Sequence, residues 1–293
     1  MEEQERRREE LVRQGCGRAM VPAARLPRHR DGGDAMGPER QGGDSDWEDG
    51  RVSVGRSFLR DLEGLWADVL KFAAIVEDTL DRSVHALCDG RVDQADEVKR
   101  QKRTVDRWEV QIERECVRVL ALHQPVASDL RRVAAVLKIN GDLHRLCDLA
   151  RHIAKRVKKL SADPRSTPIP QPLEDLGLGA LDQVHGSLDA LARCDVALAQ
   201  SVIAADQRID REYRTVQKQL KREIAASPER VKNLLRLVNT ARNLERIADH
   251  ATKIAEAVVY LKHGEILRHR PAPSASASAS ASAPAAAPPA SSV

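Results

Sequence analysis

A chain of 293 residues with 48 lysines and arginines against 44 acids has a net charge of only +4. That balance describes a salt-laced surface and excludes the broad basic footprint of a nucleic-acid binder. Aromatic residues are 2% of the chain, so strand-forming aromatic runs are missing and an all-α class is the default. No stretch reaches the ~18 apolar residues of a membrane span, and MEEQERRREELVRQGCG at the start lacks the apolar centre of a secretory signal. A soluble, cytoplasmic protein is expected.

Residues 1–56 are rich in Arg, Gly, Asp and Glu and hold no sustained apolar period. They are expected to form a disordered arm, because they cannot bury enough to offset ordering. The first helix is predicted from Ser57 to Leu87, with Leu62, Leu65, Val69, Val76, Leu80 and Val84 along one face. Asp89-Gly90 ends it, since glycine takes the left-handed conformation that closes a helix. The second is predicted from about Asp93 to Leu122 and stops at His123-Gln124-Pro125, where proline breaks the pattern. The third, from about Ser128 to Leu160, carries Val136, Ile139, Leu143, Leu146, Ala150, Ile153, Val157 and Leu160 at alternating spacings of three and four. Such a seam packs along other helices.

Residues 161–172 contain four prolines and read as a linker. The pattern then restarts. Leu173 to Asp206 reads as one helix, loosened at its start by Gly177, Gly179 and Gly186, and Gln207 to Ala225 continues as another with no evident break. Ser227-Pro228-Glu229 opens the last helix, with Ser expected as N-cap and Pro in the first turn. Its seam runs from Leu237 through Leu244, Ile247, Ala251 and Ile254 to Leu261, and Gly264 closes it. Residues 269–293 form a Pro/Ala/Ser tail with nothing to bury, expected to be disordered. The five cysteines show no C-x-x-C pairing, which favours reduced thiols over a disulfide or zinc framework.

The body repeats itself. Leu143–Leu160, LHRLCDLARHIAKRVKKL, and Leu244–Leu261, LERIADHATKIAEAVVYL, match at eight of 18 positions when shifted by 101. The expected architecture is therefore two tandem three-helix units, 57–160 and 173–268, forming a six-helix bundle.

Two acidic pairs at i, i+4 mark the second unit: Asp206 with Asp210, and Glu245 with Asp249. Residues four apart share a helix face, so two pairs on neighbouring helices would offer four carboxylates to one point. Carboxylate oxygens suit Mg, Mn, Fe or Zn. Acidic pairs are also common on charged helices, and Arg208, Arg211, Arg242 and Arg246 lie within reach, so an ion-paired face is the competing reading. In the first unit the same places hold Lys102 with Asp106 and His144 with Asp148. Lys102 could neutralise an acid in place of a cation, while a neutral His144 could ligate one. One good metal site, and one degraded site at Asp106, Asp148 and His144, is the expectation. The basic run from Arg151 to Lys159 reads as a complement to the negative end of its helix. No E-x-x-H, Gly-rich phosphate loop or G-x-S-x-G elbow occurs, and His250 is the only acid–base candidate near the acidic face, so an enzyme is not expected.

Residues 120–148, LALHQPVASDLRRVAAVLKINGDLHRLCD, and 241–265, ARNLERIADHATKIAEAVVYLKHGE, resemble the PhoU family of bacterial phosphate-signalling regulators. The likeness covers roughly 57–266. It implies a cytoplasmic, commonly dimeric, non-enzymatic two-repeat bundle in which each unit carries a metal-binding E/D-x-x-x-D pattern. It further implies a negative regulator of the phosphate-starvation response and of phosphate uptake. The implied partners are a phosphate ABC-transporter ATPase and a sensor histidine kinase, with contact to membrane complexes peripheral only and none to nucleic acid. The alternative is an accessory regulator of another phosphate transporter that acts without a kinase. The pattern lands on Asp206, Asp210, Glu245 and Asp249; in the first unit only Asp106 and Asp148 match, with Lys102 and His144 departing from it.

Overall fold

The computed structural model describes residues 45–163 and 168–264; the expectations for the two tails and for part of the linker lie outside them. Every regular element among the described residues is helical. Helix α1 spans Ser45–Asp89 and so begins ahead of the expected Ser57. Once nucleated, a helix adds one backbone bond for each residue it fixes, and no proline stands in its way between 45 and 57. Gly90, with φ of +66°, closes it.

The second helix of the unit is two pieces, α2 (Val92–Arg100) and α3 (Lys102–His123), where an unbroken one was expected. The break at Gln101 has a tertiary cause. Its side chain turns to α1, donating from Nε2 to Asp78 Oδ2 at 3.1 Å and accepting from the Thr79 hydroxyl. Helix α4 then runs Ala127–Ser161.

In the second unit, α5 (Gln171–Arg193) stops well short of the expected Asp206, and α6 covers Val196–Ala226. Cys194 adopts the left-handed conformation with φ of 49°, and Asp195 caps α6 by accepting from Leu198 N at 3.1 Å. Ser227 caps nothing with its side chain; a 3-10 turn at Pro228–Arg230 leads into α7, Val231–His263, which Gly264 closes as expected.

Each unit wraps its first two helices around its third: α4 packs on α1, α2 and α3, and α7 packs on α5 and α6. The units join through α4 against α7 and α1 against α5. Leu143, Leu146 and Ile153 of α4 and Leu244, Ile247 and Ile254 of α7 are fully buried in one continuous core. The glycines of α5, expected to loosen it, instead let its neighbours close in. A Cβ on Gly177 would lie 3.1 Å from Val84 Cγ1, and one on Gly186 would lie 2.9 Å from Val202 Cγ2.

The repeat extends to single bonds. Ser83 and Ser187, at equivalent places, each donate from Oγ to the carbonyl three residues before, of Leu80 at 2.9 Å and Val184 at 2.8 Å. In that register Asp81 and His185 are also equivalent, and they meet across the boundary between units, Nε2 to Oδ1 at 3.0 Å. Among the described cysteines Cys88, Cys116 and Cys147 are free thiols, with burial pushing Cys116 up to about 12; Cys194 is disulfide-bonded, against the expectation that all stay reduced. Among the described residues no helix is long and apolar enough to cross a membrane.

Candidate metal centre

Apolar anchors on both sides set the acids of the second unit at the edge of the core. Val202, Ile209 and Val216 pin α6, and Leu244, Ile247, Ala248 and Ala251 pin α7. Asp206 and Asp210, and likewise Glu245 and Asp249, therefore emerge half-buried where the two helices face each other. Thr252 donates from Oγ1 to Asp206 Oδ1 at 3.2 Å. Asp210 has only a loose, exposed pairing with Arg214 at 3.4 Å.

Three of the four are held above their ordinary pKa by burial and by neighbouring acids. Burial first, and then the charges of Asp249 and Asp210, push the pKa of Asp206 up. Glu245 is raised by burial, then by Asp249 and Asp210. Asp249 is raised by burial and by Asp210, although Lys253 opposes the shift. Tyr213 is raised by burial and by the charge of Glu245. Asp206, Glu245 and Asp249, each penalised by burial and by a neighbouring acid, would be relieved by a hard cation. Among the described residues, however, no three His, Cys, Asp or Glu side chains are gathered closely enough to hold a metal ion. The acids lie along the contact of α6 with α7 without closing on one point.

The first unit is built oppositely. Lys102 Nζ stands 2.7 Å from Asp106 Oδ2, and His144 Nε2 lies 3.3 Å from both Asp106 Oδ1 and Glu109 Oε2. Asp148 is held by Arg151 and, at 3.7 Å, by Arg145. The Lys102 hydrogen bond pulls the Asp106 carboxyl below its ordinary range, with His144 adding to it. Here the protein's own cations, Lys102, Arg145 and Arg151, sit against Asp106 and Asp148.

Sequence reasoning missed Glu109, Tyr213 and Thr252. Glu109 and Tyr213 occupy equivalent places one turn after Asp106 and Asp210, and Thr252 is the counterpart of Arg151, so the repeat itself carried the signal. His250, the one acid–base candidate, turns away from the acidic face: its Nδ1 sits 2.8 Å from Asp142 Oδ1 of α4.

The PhoU domain model matches this chain twice, over residues 69–157 and 173–258. The chain belongs to the PhoU family. The two matches fall on the two three-helix units. A PhoU homolog of Pseudomonas aeruginosa, called a phosphate-specific transport system accessory protein, is 35% identical over 216 residues, covering 74% of this chain and 89% of the relative. The protein of that name in Escherichia coli is 31% identical over 217 residues, 74% and 89% of the two chains. Among solved structures, PhoU from P. aeruginosa superposes with a TM-score of 0.69 at 35% identity, over 71% of this chain and all of that one. The phosphate transport system regulatory protein PhoU from Streptococcus pneumoniae gives 0.65 at 27% identity, over 72% and 99%. PhoU membership accounts for the doubled helical unit.

Proposed function

We propose that this chain is a cytoplasmic, non-enzymatic regulator accessory to phosphate transport, one that restrains phosphate uptake and the phosphate-starvation response. The observation that carries this reading is the near full-length match to relatives named phosphate-specific transport system accessory proteins, which extends over both units. In this reading the bundle works as a homodimer that docks on a phosphate ABC-transporter ATPase and a sensor histidine kinase and favours the kinase's inactive state. A regulator of this kind moves such an equilibrium only by binding one state better than the other. Asp206, Asp210, Glu245 and Asp249 would hold a Mg, Mn, Fe or Zn ion that draws α6 and α7 together and shapes the docking surface.

The test is a strain lacking this gene, with no second copy, carrying a reporter on a phosphate-scavenging promoter. Expression in abundant phosphate is the expected result. Normal repression would refute the regulatory reading.

A further inference from the structure

The acidic centre uses one face of the bundle. A second, chemically opposite feature lies between α2, α3 and α4: a cavity of about 570 Å³. Lys99 and Lys102, from either side of the Gln101 break, line one wall above Ala95. The other wall is α4, which contributes Arg151, His152, Lys155, Lys158 and Lys159 around Ala154.

Half of this charge is spoken for. Lys102 pairs with Asp106, Arg151 with Asp148 and Lys158 with Asp96. Lys99, Lys155 and Lys159 are exposed and make no ion pair among the described residues. Arg151, Lys155 and Lys159 follow one another at i, i+4 on α4, a spacing at which like charges destabilise a helix. Burial, and then the Arg156 charge, hold the His152 imidazole below its ordinary pKa. A helix C-terminus needs one or two cations to complement its dipole, not a wall of them around a cavity.

The duplication supplies an internal control. In the second unit the floor is retained, with Ala199 and Ala255 buried where the first unit has Ala95 and Ala154. The walls are not. Ile203 and Asp206 replace Lys99 and Lys102, and Thr252, Glu256, Val259 and Tyr260 replace Arg151, Lys155, Lys158 and Lys159, leaving only Lys253 basic. The fold therefore does not require the positive charge; this unit alone has it.

We propose that the cavity is a binding site for a small polyphosphorylated anion, a linear oligophosphate or the phosphate tail of a nucleotide. Lysine ammonium groups bind phosphate oxygens as mobile point charges, and several around one hollow suit a chain of linked phosphates. The volume lies within the range of about 300–1,000 Å³ typical of small-molecule sites, generous for one orthophosphate. The alanine floor and lysine stems offer an apolar bed beside the charges. The proposal rests on the cavity alone and survives failure of the regulatory reading.

Isothermal titration of the full-length protein, in EDTA, with sodium tripolyphosphate, ATP and orthophosphate tests it. Tripolyphosphate and ATP should each saturate near one per chain and weaken with added salt, with orthophosphate at least about tenfold weaker. Equal binding of the first two identifies the phosphate chain as the recognised part, and tighter ATP identifies a nucleotide; either upholds the site. Lys155→Glu with Lys159→Glu should weaken both by about tenfold or more, while Lys218→Glu with Lys221→Glu, exposed on α6, should change neither. Circular dichroism checks folding, and Lys155→Ala with Lys159→Ala replaces the reversal variant if that fails to fold. Absence of saturation, undiminished binding by a folded variant at 155 and 159, or preferential capture of duplex DNA or anionic vesicles would overturn the proposal.

Discussion

At the scale of single residues, the two units respond oppositely to the same helix-face geometry. Asp249 is held above the ordinary aspartate value of 3.8 by burial and by Asp210. Its contribution to stability is therefore fully present below that value and is lost as the pH rises through the raised pKa. Metal-free Asp249→Asn should then melt higher than the parent at neutral pH, by roughly 2–4 °C per kcal/mol relieved. The gain should shrink as the pH falls through the raised pKa and vanish below 3.8. A metal-free variant less stable than the parent at neutral pH would contradict the repulsion inferred here. Asp61 behaves in the opposite way. Hydrogen bonds from Arg118 and His123 lower it to about 2, so its contribution is present above 3.8 and disappears as the pH falls toward 2. Metal analysis should find that Asp210→Ala with Asp249→Ala removes most bound ion, and Asp106→Ala with Asp148→Ala much less. Equal losses would mean that Lys102 and His144 do not impair the first site.

At the scale of helices, what was legible depended on where the cause lay. The seams of α4 and α7 could be read because burial repeats at spacings of three and four, and every seam residue from Val136 to Leu160 is buried as expected. The stops at Gly90 and Gly264 were legible because left-handed backbone selects glycine. The Cys194 turn was not, because a cysteine in that conformation carries no compositional mark, although Asp195 as a cap was there to find. Gln101 was illegible for another reason: its partners, Asp78 and Thr79, lie on a different helix. Of the candidate site, the acid pairs were readable from spacing, but their mutual repulsion and the ion pairs that replace it in the first unit needed the packing. Glycine separates propensity from packing. Gly64 is exposed in α1 with nothing within 4 Å of an added Cβ, so Gly64→Ala should stabilise by roughly 0.5–1 kcal/mol. Gly186→Ala meets Val202 and should destabilise, by about 1–3 kcal/mol. Chemical denaturation checks both, and a Gly186→Ala, Val202→Ala cycle should show coupling of opposite sign to the clash.

Across the whole molecule, one core runs through both units, and α4 against α7 is the main seam between them. Residues 57–268 alone should keep a strongly helical circular dichroism spectrum, less the first turns of α1, and a single cooperative melt, because every buried anchor among the described residues falls inside that span. Loss of cooperativity on trimming would mean that the ends contribute to the core. The same continuity means that 57–160 or 173–268 expressed separately would expose the apolar faces of α4 or α7 and should associate rather than remain monomeric, as sedimentation would show.

Asp81 and His185 occupy the same place in the two units and face one another at 3.0 Å. Two separate copies of one unit, related by a twofold axis, would be obliged to set each residue on that axis against itself. An aspartate there would confront an aspartate, and a histidine a histidine. Covalent fusion removes that obligation, since each half can change without its mirror image changing too. Heterodimer-like complementarity thus arises within one chain, and the same freedom allows an acidic face in one half and a basic hollow in the other.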